Sequence, residues 1–178
     1  ERYICSPWFA VANAGTIVSG ILITVGAILL WNLWPRKRSG RMAMALMALG
    51  GLLVVAVGLF PWDTHPIEHD VTAFLQAIFQ WAAMIALLVA VRGFAHWRSI
   101  SRLTALFLAI SVVGFVMFIN ALSGGTAFGL GVGALERIAF DSLVVWTAIV
   151  GLVLLRSQQM MRPNPEAQIL RSAAPHSQ

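Results

Sequence analysis

Five long apolar stretches set the strongest limit on what this chain can fold into. They cover about residues 9–34, 42–60, 71–91, 103–122 and 134–155. A helix needs about 20 apolar residues to cross a bilayer. Within lipid a helix satisfies its own backbone hydrogen bonds, and the period-two alternation of a membrane barrel is absent. We therefore predict an all-α integral membrane protein in which residues 1–156 form a bundle of five transmembrane helices.

The composition excludes several other classes of protein. Hydrophobic residues make up 59% of the chain and charged residues 11%, and the mean hydropathy is +0.82. A soluble domain carries about 25% charged residues. A soluble enzyme, a disordered chain and a disulfide-rich secreted domain are therefore excluded. The single cysteine, Cys5, excludes an internal disulfide and a multi-cysteine metal site within this chain.

The basic residues predict how the bundle is oriented. The net charge is +5, but the basic residues lie in short loops between spans, which indicates membrane orientation and not a nucleic-acid partner. Alternate loops and the C-terminal segment place ten basic residues on one side, with only Arg2 and Arg137 on the other. The positive-inside rule predicts that residue 1 is outside and the C-terminus is cytoplasmic. Residues 157–178 have no apolar face and are predicted to form a disordered cytoplasmic tail.

The loop 61–70, between the second and third spans, carries the most informative polar residues. One interpretation is structural: Pro66 suits the first turn of the third helix, and Thr64 or His65 would cap that helix. The other is a metal site. His65 and His69 are four residues apart and can share a helix face, and Asp63 would complete a three-ligand set that leaves one position for water.

A second polar group opens the fifth span. Arg137 and Asp141 are four residues apart and can form an ion pair on one helix face. Glu136 points elsewhere. We predict a common outer pocket in which these side chains meet those of the 61–70 loop, because both groups lie at the same face of the membrane. The predicted binding residues are Asp63, His65, His69, Glu136, Arg137 and Asp141. A structural ion-pair network that locks the helix ends is the competing interpretation.

Three separated motifs resemble one family of membrane proteins. They are Tyr3-x-Cys5-Ser6-Pro7, Gly58-x-Phe60-Pro61-x-Asp63 followed by His69, and Glu136-Arg137-Ile138 followed by Trp146. In this order they resemble the bacterial and archaeal family of domain of unknown function 998, over most of residues 3–155. The resemblance implies the cytoplasmic membrane of a prokaryote, a sixth span before Glu1, and a cysteine near the outer face that would pair with Cys5.

Two functions are compatible with these observations. The first is a non-enzymatic membrane protein that binds a lipid or a membrane-protein partner as an accessory subunit, without a cofactor. The second is a metal- or carboxylate-dependent hydrolase that acts on lipid at the outer face, with Asp63, His69 and Glu136 as candidate catalytic residues and a divalent ion such as zinc as cofactor. In addition, Gln76 and Gln80 lie within the third span, where hydrogen bonds between helices explain such amides. Because they share a helix face with His69 at its edge, they can instead line a polar cavity.

Overall fold

Five long helices make up the fold, as the sequence predicts. The computed structural model describes residues 8–126 and 129–161, and this part of the chain contains no strand. The helices are α1 (Phe9–Leu29), α2 (Lys37–Leu59), α3 (Pro66–Val91), α4 (Arg98–Leu122) and α5 (Val132–Met161), with a 3-10 turn at Ala95–Trp97. All five are long and apolar enough to cross a membrane. Helix α5 continues to Met161, so residues 157–161 of the predicted tail are helical. Cys5, Arg2 and the rest of that tail, residues 162–178, lie outside the described residues.

The helix boundaries differ from the predicted spans mainly where tryptophan or basic residues flank them. The first span was predicted to run to about residue 34, but α1 ends at Leu29. Trp34 lies in the loop after α1, where its side chain is buried. Conversely, α2 and α4 begin at Lys37 and Arg98, before the predicted starts at about residues 42 and 103. Long basic side chains reach water while their backbone stays helical, so hydropathy marks the apolar part of a helix and misses its charged end.

The helices α1, α2 and α3 form a close-packed layer because small residues line their contacts. A Cβ atom added to Gly20 would lie 2.6 Å from the carbonyl oxygen of Gly51, so the α1 and α2 backbones almost touch. Thr24 bonds its own helix at the carbonyl of Gly20 and also lies 3.3 Å from the carbonyl oxygen of Ala48. Small residues that allow close backbone approach are typical of helix pairs in membranes.

The helices α4 and α5 form a second close pair. A Cβ atom on Gly114 would lie 2.9 Å from the backbone nitrogen of Ala139. The contact between α3 and α4 is less extensive. The α5 side chains Leu143 and Trp146 join Met84 and Leu87 of α3 in one buried core. This core connects the pair to the three-helix layer.

The two ends of the bundle carry opposite charge. Arg36 donates to the carbonyl oxygen of Arg92 at 3.4 Å, which shows that alternate loops meet at one end. We call it the basic end, and its basic residues in the described chain are Arg36, Lys37, Arg38, Arg41, Arg92, Arg98, Arg102 and Arg156. The opposite, acidic end carries Asp63, Glu68, Asp70, Glu136 and Asp141, together with Arg137. No carboxylate of the described residues lies at the basic end.

Candidate functional site

At the acidic end, the α2–α3 loop is a tight turn that leads directly into α3. The backbone nitrogens of Thr64 and His65 both bond the carbonyl of Pro61, at 3.2 and 2.9 Å. Helix α3 then begins with Pro66 in its first turn, as predicted, and His65 takes the N-cap position. The side chain of His65 makes no capping hydrogen bond there. Its ring packs edge-on against Phe60 instead, with 5.7 Å between ring centroids.

The side chain of His69, in the first turn of α3, bonds back to the backbone at the end of α2. Its Nδ1 lies 2.9 Å from the carbonyl oxygen of Phe60. A carbonyl can only accept, so Nδ1 carries the hydrogen and donates. In the neutral imidazole, Nε2 then keeps its lone pair and can accept a proton or a hydrogen bond. His69 thus uses its Nδ1–H to tie the start of α3 to the end of α2.

The predicted metal ligands lie on one short segment but do not form a cluster. Asp63 and His65 are exposed, whereas His69 is half-buried. Across the described residues, no group of three or more His, Cys, Asp or Glu side chains is arranged to hold a metal ion. The ring of His65 packs on Phe60, and His69 uses one of its two ring nitrogens, Nδ1, in the bond to the Phe60 carbonyl.

The polar residues at the start of α5 form the predicted ion pair. The Nη1 atom of Arg137 lies 3.1 Å from Oδ2 of Asp141. The two side chains are 62% and 56% exposed, and ion pairs that are this exposed contribute about 0 to 1 kcal/mol. Glu136 is also exposed. This pair therefore lies on the exposed surface near the start of α5 and adds little to the stability of the helix.

Aromatic rings link the two halves of the predicted outer pocket. Phe115 of α4 packs against Phe74 of α3 at 6.0 Å and against Phe140 of α5 at 6.0 Å between ring centroids. Direct backbone contact between α3 and α5 is slight, whereas α4 packs closely on α5. The shared binding site of Asp63, His69, Glu136 and Arg137 thus stays a prediction, with an aromatic cluster between the two helices.

The basic end carries a feature that the sequence reading did not identify as a site. An open depression of about 470 Å³ lies over the start of α2, and its lining residues are Arg36, Lys37, Arg38, Ser39 and Met42. Helix α2 has no acidic residue in its first turn and no side-chain cap. The sequence shows four basic residues in this loop, which predict membrane orientation, but it does not show that three of them line one depression.

A third polar feature lies inside the bundle. Gln76 and Gln80 of α3 are buried, with 5% and 1% of their surface exposed. Among the residues that the structure describes, neither the Oε1 nor the Nε2 atom of Gln80 has a hydrogen-bond partner. The spacing of these residues with His69 was the sequence signal for a polar face. That signal did not show which amide would lack a partner, because partners come from other helices.

Together, the five apolar helices and the charge difference between their ends define a multi-pass helical membrane protein. The chain matches the family described as "Protein of unknown function (DUF998)" over residues 5–153. It therefore belongs to this family, as its motifs predicted. No curated protein and no solved structure matches the chain.

Proposed function

We propose that this protein is a non-enzymatic component of the membrane that binds anionic lipid at its basic end, as an accessory to other membrane proteins. The observation that carries the proposal is the depression over the start of α2, which three basic side chains line together with Ser39 and Met42. Its position at a helix end, where the apolar span stops, is the level at which lipid headgroups lie.

The charges in this depression add to each other. The start of a helix carries partial positive charge and unpaired backbone N–H groups. Acidic side chains normally balance that charge, but the first turn of α2 holds Lys37 and Arg38 and no acid. An anion is therefore favoured both by the helix and by its side chains. Met42 gives the depression an apolar wall, which suits the glycerol and upper acyl region of a lipid.

One of the cations is already oriented by its neighbours. Arg36 donates from Nη2 to the carbonyl of Arg92, and its guanidinium lies 6.0 Å from the centroid of the Phe94 ring. These contacts hold Arg36 at the edge of the depression without neutralising its charge, because neither partner is an anion. A phosphate group can supply the missing counter-charge, and arginine binds phosphate well.

The proposal includes an orientation. Anionic lipids give the cytoplasmic leaflet a negative surface potential, which attracts basic segments next to a membrane span. The basic end would then face the cytoplasm, as the positive-inside rule predicts. In intact cells, a cysteine placed at Ser39 should resist an impermeant thiol reagent, whereas a cysteine placed at Thr126 should react. The reverse labelling pattern would overturn the orientation.

The lipid proposal is tested by measuring which lipids remain bound to the purified protein. The expected result is enrichment of phosphatidylglycerol or cardiolipin over phosphatidylcholine in native mass spectra. Each basic residue near an anionic surface is worth about 1 kcal/mol, so replacing Arg36, Lys37 and Arg38 by alanine should weaken lipid binding about a hundredfold.

A matched control removes the same charge elsewhere at the basic end. Arg98, Arg102 and Arg156 are exposed and do not line the depression, so replacing these three by alanine should leave most of the enrichment in place. Equal losses in the two triple variants would show that general charge, and not the depression, attracts the lipid. No enrichment in the native protein would overturn the proposal.

The hydrolase is a second candidate, and one observation favours it. Metal-binding histidines usually donate their other ring N–H to a carbonyl or carboxylate, and His69 donates from Nδ1 to the Phe60 carbonyl in this way. Nε2 of His69 would then be the ligand atom, with Asp63 nearby in sequence. Elemental analysis of the purified protein tests this: zinc at one equivalent, lost in His69→Ala, would support the hydrolase over the accessory role.

A further inference from the structure

The amide of Gln80 is the observation that calls for an explanation beyond lipid binding. Gln80 lies near the middle of α3, and its side chain is 1% exposed. Its oxygen accepts no hydrogen bond and its nitrogen donates none within the described structure. In the membrane interior, buried polar groups are normally paired, because neither water nor lipid tails can replace a missing partner there.

Packing fixes this side chain in the interior. A Cβ atom on Gly50 of α2 would lie 2.7 Å from Cγ of Gln80. The aliphatic part of Gln80 therefore fills the space that any larger residue at position 50 would take. The amide can leave the interior only if this contact between α2 and α3 is lost. The packing of α2 against α3 therefore holds the unpaired amide of Gln80 in place.

The buried face of α3 is polar toward the acidic end and apolar toward the basic end. His69, Gln76 and Gln80 follow each other at spacings of seven and four residues, which place them on one helix face. Burial increases along this series, from half-buried His69 to fully buried Gln80. Beyond Gln80 the same buried face continues with Met84 and Leu87. The polar part of this face therefore runs from the acidic end to Gln80.

We infer that Gln80 binds water inside the bundle, and that this water reaches it from the acidic end past Gln76. Nε2–H of Gln80 donates to the water and Oε1 accepts from it. Water is the occupant because it is neutral and offers both a donor and an acceptor to the same amide. No carboxylate of the described chain lies on this buried face, which disfavours a cation.

The test is magnetisation transfer from water to side-chain amides in the full chain, labelled with nitrogen-15 and placed in lipid nanodiscs. The Gln80 signal is identified by its loss in Gln80→Met. We expect a water cross-peak at the Gln80 amide. The indole N–H of Trp146 is the internal control, because it lies in the same membrane-spanning bundle but donates to Thr104 at 3.1 Å. That signal should show no cross-peak.

Two results would overturn the inference. If the Gln80 amide shows no water cross-peak, it binds no water and is either unpaired or bonded to protein. A cross-peak of equal strength at Trp146 would show water throughout the core and no site at Gln80.

A further variant tests the direction of access. Gln76→Leu should slow deuterium exchange at the Gln80 amide several-fold, whereas Leu87→Met should leave it unchanged. Equal exchange rates in these two variants would contradict access past Gln76.

Discussion

The α4–α5 seam and the α2–α3 interface both bury polar side chains, but only the seam pairs them. At the seam, Trp146 donates to Thr104 at 3.1 Å, and Ser111 accepts from Trp81 at 2.9 Å while donating to the carbonyl of Ala139 at 2.6 Å. At the α2–α3 interface, the amide of Gln80 has no partner.

The difference follows from what each side chain needs. A serine or threonine hydroxyl can donate to a carbonyl one turn back on its own helix, as Ser142 does to Ala139. A glutamine amide offers two donors and one acceptor oxygen and has to find all of its partners on other elements. Hydroxyl groups can therefore bind helices together in lipid without a further component. A buried amide requires a further hydrogen-bonding partner, and we infer that a water molecule is that partner.

The largest expected effect comes from forcing the seam apart. Gly114→Ala places a Cβ atom 2.7 Å from Cγ2 of Ile138 and 2.9 Å from the backbone nitrogen of Ala139, so α4 and α5 have to separate. Overpacking of this kind costs about 1 to 3 kcal/mol. Unfolding in mixed dodecyl maltoside and SDS micelles measures the change. Gly151→Ala on α5 is the control: it has open space and should gain up to about 1 kcal/mol. Equal effects would refute the close contact.

A smaller loss is expected when one paired group of the seam is removed. Thr104→Val keeps the shape of the side chain but leaves the buried indole N–H of Trp146 without its acceptor. We expect a loss of about 1 to 2 kcal/mol in the same unfolding assay. Thr16→Val is matched to it, because the Thr16 hydroxyl bonds only its own helix, at the carbonyl of Ala12. That variant should change stability by less than about 0.5 kcal/mol. No difference between the two would mean that the indole bond is unimportant.

Gln80→Met should cost less than Thr104→Val, although Gln80 is equally buried. The methionine keeps the contact with Gly50 and removes an amide that bonds no protein group. Because exchanging a water-mediated bond for apolar packing is nearly neutral, the free energy of unfolding should change by less than about 1 kcal/mol. A loss that exceeds the Thr104→Val loss would show that Gln80 has strong partners within the protein, and the contrast between the two regions would disappear.

The smallest effect is expected where a polar pair lies outside the apolar core. Asp141→Asn removes the exposed ion pair with Arg137 and should lower the free energy of unfolding by about 0.5 kcal/mol or less. The loss should shrink further in high salt, because exposed charges are screened. A loss as large as that of Thr104→Val would contradict the view that pairing in this protein matters mainly inside the bundle.

The sequence predicted the five helices well, because apolar length is a property of single segments. It also predicted the Arg137–Asp141 pair and the first turn at Pro66, which depend on residues a few positions apart. It was less accurate for Trp34, whose apolar ring extended the predicted first span, whereas α1 ends at Leu29. It predicted the stripe of Gln76 and Gln80, but the missing partner of Gln80 depends on which residues of the neighbouring helices face it.

The tryptophan pair at the basic end has a consequence for how the protein can be observed. The rings of Trp34 and Trp97 have centroids 5.1 Å apart and planes inclined at 47°. Two indoles this close and tilted couple their electronic transitions, which gives a paired band in the circular dichroism spectrum. Trp34 also packs on Gly40, next to Ser39 at the rim of the basic depression. The Trp34–Trp97 pair is therefore an intrinsic spectroscopic probe. Binding of a lipid headgroup over the start of α2 would change its circular dichroism band.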